Sequence, residues 1–516
     1  MKKSKSLAIL FFVLAISVSA QKNKKRPNIL FAICDDVSYP HTSFAGSKFV
    51  NTPSFDRVAR EGIYFENCYA GSPGCAPSRS SIVTGRHHWQ NEQSGQHGSS
   101  WMKKYVPFTD ELKNNGYAVG VAGKGVSPFR YATSDKDKLW RKGDAAGTYH
   151  SKIVYKGAND RRPTNKISDK NYFENFKYFM ENANEDKPFF FWYGGHEAHR
   201  GYEKDSWKKN NKKLSDVEVP AFFPDTDVIK GDLLDYAVEI EWFDLHLTKM
   251  LTYLEKIGEL ENTVVIVTAD NGMPFPRAKA NCYDYGVHVP LAIRYPKEFS
   301  INKRISQPVG FVELAPTILE IAQVIPSNMQ PITGKSLLKV LKGKKKLSSK
   351  KAVYSGRERH TSARYENMGY PQRSIRKDDY LLIWNLKPER NPAGDPKMFP
   401  KGKKQGKLVD NVYADIDGSP SKSFLAKNKN SKDYGYYFDL ATDKRPEYEL
   451  YNIKVDAACL NNLSGIAEIH KIEKSLKKEL LAELKRSKDP RIVGSNKEIF
   501  DTYKRYSSMR YFPEIK

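Results

Sequence analysis

The sequence predicts an α/β protein with a large sheet covered by helices, followed by a smaller C-terminal α+β subdomain with an antiparallel sheet. Three observations carry this prediction. Continuous apolar runs at 29–34, 188–193 and 263–268 have the texture of parallel strands covered on both faces, and each runs into polar residues. Helical patterns at 54–61 and 232–257 alternate with them, as a layered α/β sheet requires. Beyond the lysine-rich stretch 342–351 the texture changes to short strands at 374–384 and 449–451 and an amphipathic helix over 465–485.

Taken in order, Pro27-Asn28 opens the first strand, which ends in Asp35-Asp36. The second of these runs ends in Gly194-Gly195-His196-Glu197-Ala198-His199, and the third passes through Ala269 into Asp270-Asn271-Gly272. A helix is expected over 311–322 and a linker over 342–351, and the Lys-, Pro- and Gly-rich stretch 386–432 reads as a long excursion. No internal repeat is evident. The resulting division is a signal peptide over 1–20, a larger domain over 27–345 and a smaller subdomain over 346–516.

The chain has 516 residues, 39% apolar and 12% aromatic, enough for a sizeable core, which excludes general disorder. Five cysteines exclude a disulfide-stapled scaffold. The first 20 residues have the layout of an export signal. Lys2, Lys3 and Lys5 precede an apolar stretch from Leu7 to Val18, and Ser19-Ala20 gives a small-residue cleavage site. No later apolar run approaches the ~18 residues of a membrane span, so an exported, periplasmic or secreted protein without a membrane anchor is expected. The formal charge of +25 has two readings, a lysine-rich solvated surface and attraction of a polyanionic substrate. Nucleic acid is a poor candidate, because no zinc-finger or RNP-type motif is present.

Parallel strands deliver their carboxyl ends to one edge, where α/β sheets bind ligands. Asp35, Asp36, Asp270 and Asn271 should therefore converge, although more than 230 residues separate the two pairs. The set is all oxygen and suits Ca²⁺ or Mg²⁺, whereas each pair alone also reads as ordinary turn chemistry. In Cys75-Ala76-Pro77-Ser78-Arg79, Pro77 marks a helix start and Gly85 a helix end. Cys75 would then sit at a positively polarised helix N-terminus suited to an anion; taken alone, it could equally be a buried thiol or half of a disulfide.

At these residues the chain resembles the formylglycine-dependent sulfatases of the alkaline-phosphatase superfamily. Cys75-x-Pro77-Ser78-Arg79 followed by Thr84-Gly85-Arg86 matches the family signature, and further similarity runs through 27–36, 51–62, 312–317 and 445–451. The resemblance implies an alkaline-phosphatase-like mixed sheet and oxidation of Cys75 to formylglycine (3-oxoalanine) by a maturase. It implies Ca²⁺, rather than Mg²⁺, held by Asp35, Asp36, Asp270, Asn271 and the modified Cys75, with Arg79 fixing that geometry. It assigns Lys124 and Lys279 to the sulfate oxygens, and His199 to the sulfate and leaving oxygen. Many relatives carry a histidine two residues after the lysine at 124. Here that position is Val126, followed by Ser127, which leaves one sulfate-binding role to Ser127 or to another histidine. His196 is expected to be structural or at the substrate rim, and His288 a substrate contact.

The run Arg357, Arg359, His360, Arg364, Tyr370 and Arg373 suits carboxylates or further sulfates. Residues 369–376 are similar to the heparan N-sulfatase branch, whose bacterial relatives also act on algal polysaccharides such as ulvan and carrageenan. A sulfated anionic poly- or oligosaccharide is therefore the expected substrate. The alternatives are a sulfamidase, a phosphate or phosphonate monoester hydrolase, and a non-catalytic carbohydrate-binding protein.

Overall fold

The computed structural model describes residues 26–132, 138–183, 186–396 and 412–506; the expected signal peptide lies outside the described residues. Among these residues the large sheet has nine strands: β1 (Asn28–Cys34), β2 (Ile63–Tyr69), β3 (Ala118–Gly123), β4 (Thr148–Tyr149), β5 (Phe189–Gly194), β6 (Thr263–Ala269), β7 (His288–Arg294), β8 (Lys303–Ile305) and β9 (Val309–Gly310). Their order is β4-β3-β5-β1-β6-β7-β2-β8, with β9 also on β2. β4, β3, β5, β1 and β6 are mutually parallel. β7 is antiparallel to both β6 and β2, so β2 again points the same way as β6. The carboxyl ends of β1, β2, β3, β5 and β6 therefore share one edge. β1, β5 and β6 are buried along their whole length, as their uninterrupted apolar texture requires.

Helices α1 (Pro53–Arg60), α2 (Cys75–Thr84), α3 (Tyr172–Asn182), α4 (Asp227–Lys256) and α5 (Leu314–Ile321) accompany this sheet. α4 begins five residues before its apolar pattern, because the Thr226 side chain accepts from Ile229 N–H and caps the polar first turn. α2 ends where Gly85 adopts a left-handed conformation (φ 64°), which glycine takes at little cost.

The second sheet is antiparallel, β10 (Ala352–Arg357), β11 (Gln372–Lys377), β12 (Tyr380–Asn385) and β13 (Tyr448–Asn452). Both of its faces are covered. Ile375, Leu382 and Leu450 pack with Leu476, Leu480 and Leu484 of the helix α7 (His470–Arg486), and with Trp89 reaching in from the large domain. Val353, Leu381, Ile383 and Tyr451 face Tyr69 and Tyr283 of the large domain. The stretch expected to be an excursion contains the helix α6 (Pro420–Lys427), and its residues 412–418 return to the carboxyl edge of the large sheet.

Gly194 closes β5 opposite Gly123 and Ile33, and a Cβ there would lie 1.8 Å from the Lys124 carbonyl. That carbonyl also accepts from Arg79 and Trp192, so it has little freedom to retreat. Gly194→Ala should cost about 1–3 kcal/mol in urea unfolding and lower turnover per folded molecule; an unchanged midpoint with full activity would contradict the packing described.

Candidate active site

The strand ends place the carboxylates first. Asp35 is locked to the end of β5 by its own N–H to the Glu197 carbonyl (2.6 Å) and by Ala198 N–H to its carbonyl (2.7 Å). Asp36 takes a left-handed conformation (φ 61°) that turns the chain at the sheet edge. Its N–H donates to Asp270 Oδ1 (3.0 Å), its Oδ1 accepts from Asn271 Nδ2 (2.6 Å), and its Oδ2 accepts from Lys279 Nζ (2.5 Å). All four residues Asp35, Asp36, Asp270 and Asn271 are fully buried.

β2 runs through 70–74 into α2, whose first residue is Cys75. One turn on, the fully buried Arg79 donates from Nε to Asp270 Oδ2 (2.7 Å) and from Nη1 to the carbonyls of Lys124 (2.8 Å) and Gly125 (2.9 Å). Ser78 Oγ donates to the Asp270 carbonyl (2.5 Å). α2 is thus bolted to β6 and to the loop after β3, with Cys75 against the carboxylates. Lys124 Nζ in turn pairs with Asp35 Oδ2.

The donor set fits a hard cation. Ligand atoms of Asp35, Cys75 and Asp270 lie within 4.8 Å of one another. Asp35 Oδ1 and Asn271 Oδ1 are buried oxygens with no hydrogen-bond donor, a costly state that a bound cation relieves. Burial pushes the Asp270 carboxyl up, and Asp35 adds to it. Burial works against Asp35 as well, but Lys124, His199 and Arg79 together hold that carboxyl below its ordinary value. Burial also raises the Cys75 thiol, so the unmodified side chain is not a ready thiolate.

Lys279 is buried between Asp36 and Asp417 Oδ2 (3.2 Å). Asp417, in the returning segment, shares a 4.8 Å cluster with Asp36 and His199. His199 Nδ1 donates to the Arg200 carbonyl (2.7 Å), which leaves Nε2 for chemistry. A cavity of about 440 Å³ opens beside Asp35, lined by Lys124, Ser127, His196, His199 and Arg200. Arg200 is clamped by Asp232 and stacked on Phe275.

Three expected substrate contacts lie elsewhere. His288 stacks between Tyr39 and Tyr69 and uses both ring nitrogens, on Asp284 (3.0 Å) and on the Glu66 carbonyl (2.9 Å). Arg373 is on the wrong face of β11. Gln372 and Arg376 face the large domain, bonding Cys282 N–H and Tyr69, so strand alternation turns Arg373 toward α7. There it is fully buried against Glu358 and Asp489 and over Trp89. Arg357 pairs with Asp415, as does Arg364, and both side chains are buried there. His360 does reach the site: its ring lies against Gly74, and Nδ1 is 3.6 Å from Asp415. Sequence reasoning passed over Asp417 and His97, whose ring is 5.2 Å from that of His360. An acidic pair in a lysine-rich excursion was the one available signal for Asp417, and His97 carried none.

Comparison with known proteins agrees with this geometry. The family model described as "Sulfatase" matches residues 27–324, more than half of the chain, and a second, "N-sulphoglucosamine sulphohydrolase, C-terminal", matches 278–415. The chain belongs to the sulfatase family, and its activity is that of a sulfuric ester hydrolase. It is 25% identical over 502 residues to an ulvan-active sulfatase of Formosa agariphila, covering 89% of this chain and 75% of that one. It is 26% identical over 405 residues to human N-sulphoglucosamine sulphohydrolase, covering 70% and 74%. A solved structure of a protein in complex with its substrate D-glucosamine-2-N,6-O-disulfate shares the fold, with a TM-score of 0.64 at 22% identity over 90% of this chain and 99% of that one.

Removing one partner from a buried charge network costs about 3–5 kcal/mol. Arg373→Ala should therefore lower the unfolding midpoint strongly, while kcat/KM per folded molecule changes by the same factor on an aryl sulfate and on a sulfated saccharide. A loss confined to the saccharide would restore Arg373 as a substrate contact.

Proposed function

We propose that this enzyme removes sulfate from a sulfated, anionic saccharide, with Cys75 acting after oxidation to formylglycine. The observation that carries the reading is the convergence of Cys75, four oxygen ligands and two lysines at one sheet edge. The hydrate of formylglycine at position 75 supplies one hydroxyl to attack sulfur and a second whose deprotonation releases sulfate. Asp35, Asp36, Asp270, Asn271 and residue 75 would hold a Ca²⁺, which would supply Lewis-acid polarisation of a sulfate oxygen.

The remaining steps belong to the chain's own side chains. Arg79 holds α2 and Asp270 in register. Lys124 and Lys279, both buried, neutralise charge developing on the sulfate oxygens in a site where water screens little. His199, with Nδ1–H engaged on Arg200, presents Nε2, which in the doubly protonated ring carries the proton passed to the departing oxygen. His196 lies at the rim. Lys166 lines the cavity beyond, suited to neighbouring anionic groups of a sugar, with Arg200 held by Asp232 in the same wall. We further propose export through residues 1–20 and activation by a maturase. A second reading, hydrolysis of an N-sulfated glucosamine, is favoured by the C-terminal family match over 278–415.

Enzyme co-produced with a maturase should release sulfate from at least one member of a defined panel of O- and N-sulfated oligosaccharides, and faster than it cleaves the matched phosphate ester. Cys75→Ala should abolish turnover with the fold intact, and peptide mass spectrometry of active enzyme should find residue 75 as the aldehyde. Chelation should remove activity, and Ca²⁺ should return it. Active enzyme with an unmodified Cys75, or without a divalent ion, would sink the mechanism; preference for aryl sulfates over every saccharide would sink the substrate class.

A further inference from the structure

We infer that His97 is a further catalytic residue, donating a hydrogen bond to the transferring sulfate. The inference rests on the reading of the site as a sulfate-ester hydrolase.

Two contacts locate this imidazole. On one side the backbone of 98–101 is zipped to the chain just past Lys124, by Gly98 N–H to the Pro128 carbonyl (3.1 Å) and Trp101 N–H to the Arg130 carbonyl (2.8 Å). His97 therefore runs beside the loop that carries Lys124 and Ser127. On the second side its ring meets the edge of His360 at 5.2 Å, and the His360 ring lies against Gly74, the residue before Cys75. Among the charges acting on it, His360 and Arg505 come first, followed by Lys124 and Lys279. His97 thus sits between the loop after β3 and His360 of the C-terminal subdomain, with the His360 ring between it and Gly74.

Its chemistry fits a donor to an anion. The side chain is 5% exposed, and Nδ1 is buried with no hydrogen-bond partner. A buried, unsatisfied imidazole nitrogen costs free energy unless a ligand completes it. Burial, with His360 and nearby cations, holds the ring neutral, so one nitrogen carries a proton and can donate without prior protonation. Nothing else on the adjacent loop supplies an imidazole. Val126 lies in the apolar core, with its N–H on Asp144, and Ser127 offers only a hydroxyl. His196 and His199 come from the opposite wall, at the end of β5.

Loss of a single preorganised donor to a reacting oxyanion lowers kcat about a hundredfold or more. His97→Ala should therefore lose about a hundredfold in kcat/KM on an aryl sulfate and on the saccharide alike, because both share the sulfate. Product inhibition by inorganic sulfate should weaken in parallel. His97→Asn and His97→Gln keep a donor at similar volume, and at least one should recover tenfold or more of the loss. Formylglycine content and the unfolding midpoint, measured on each variant, identify any that fail to fold or mature. Sulfate inhibition unchanged in folded variants, or a loss appearing in Ser127→Ala while His97→Ala behaves as wild type, overturns the inference. Wild-type enzyme that releases sulfate from no ester would instead count against the reading on which it rests.

Discussion

Three carboxylates and one amide oxygen are forced together, dry, at the ends of neighbouring parallel strands, and the surrounding structure is arranged around that charge. Like charges about 4 Å apart repel by roughly 4 kcal/mol even at an effective dielectric of 20. Asp35, Asp36 and Asp270 are matched by Lys124, Lys279 and Arg79, each cation held on a different element. The protein moiety of the centre is thus near neutral, and a divalent cation would turn it positive. On the proposed reading, such a centre would attract an anionic ester only with its metal in place, and the buried lysines would then divide their hydrogen bonds between carboxylate and sulfate.

Much of this was legible in the sequence because it depends on strand direction alone. Continuous apolar texture at 29–34 and 263–268 predicts parallel neighbours, and β1 and β6 do lie side by side, with Cys34 opposite Ala269. That register suffices to bring Asp35 and Asp270 together. The illegible part depends on side-chain parity and on long returns. Arg373 shares a strand with Gln372 and Arg376, but a step of one residue carries it to the far face of the sheet. Asp415 and Asp417 come from a stretch whose composition reads as solvated loop, and no local pattern announces where such a stretch returns. His288 was misread because its strand position is near the site while both of its nitrogens are already satisfied.

The cationic run also acquires a different meaning from its contacts. Arg357, Arg364, His360 and Thr361 surround one buried carboxylate, Asp415. Burial opposes that carboxylate's charge, yet Arg364 and Arg357 outweigh it and hold its pKa well below the usual range. Asp415 is therefore a fixed charge that pins 412–418 against the end of β10 and the loop that follows it. Two residues on, Asp417 meets Lys279. The run that looked like a saccharide reader acts on the site through the chain's own backbone.

Consequences for recognition follow from what remains available. Arg357 and Arg364 are buried against Asp415, and Arg373 against Glu358 and Asp489, so the cavity wall beside the centre, with Lys166 and the internally held Arg200, is the surface left for recognition. Arg200 is itself held by Asp232, whose second oxygen accepts from Ser421 at the start of α6. The cavity wall around Arg200 is therefore built jointly by the segment after β5, by α4 and by the returning C-terminal segment. Its shape depends on three parts of the chain that are distant in sequence. Specificity in such a site resides in that joint wall, while the sulfate-handling centre behind it is fixed by strand register.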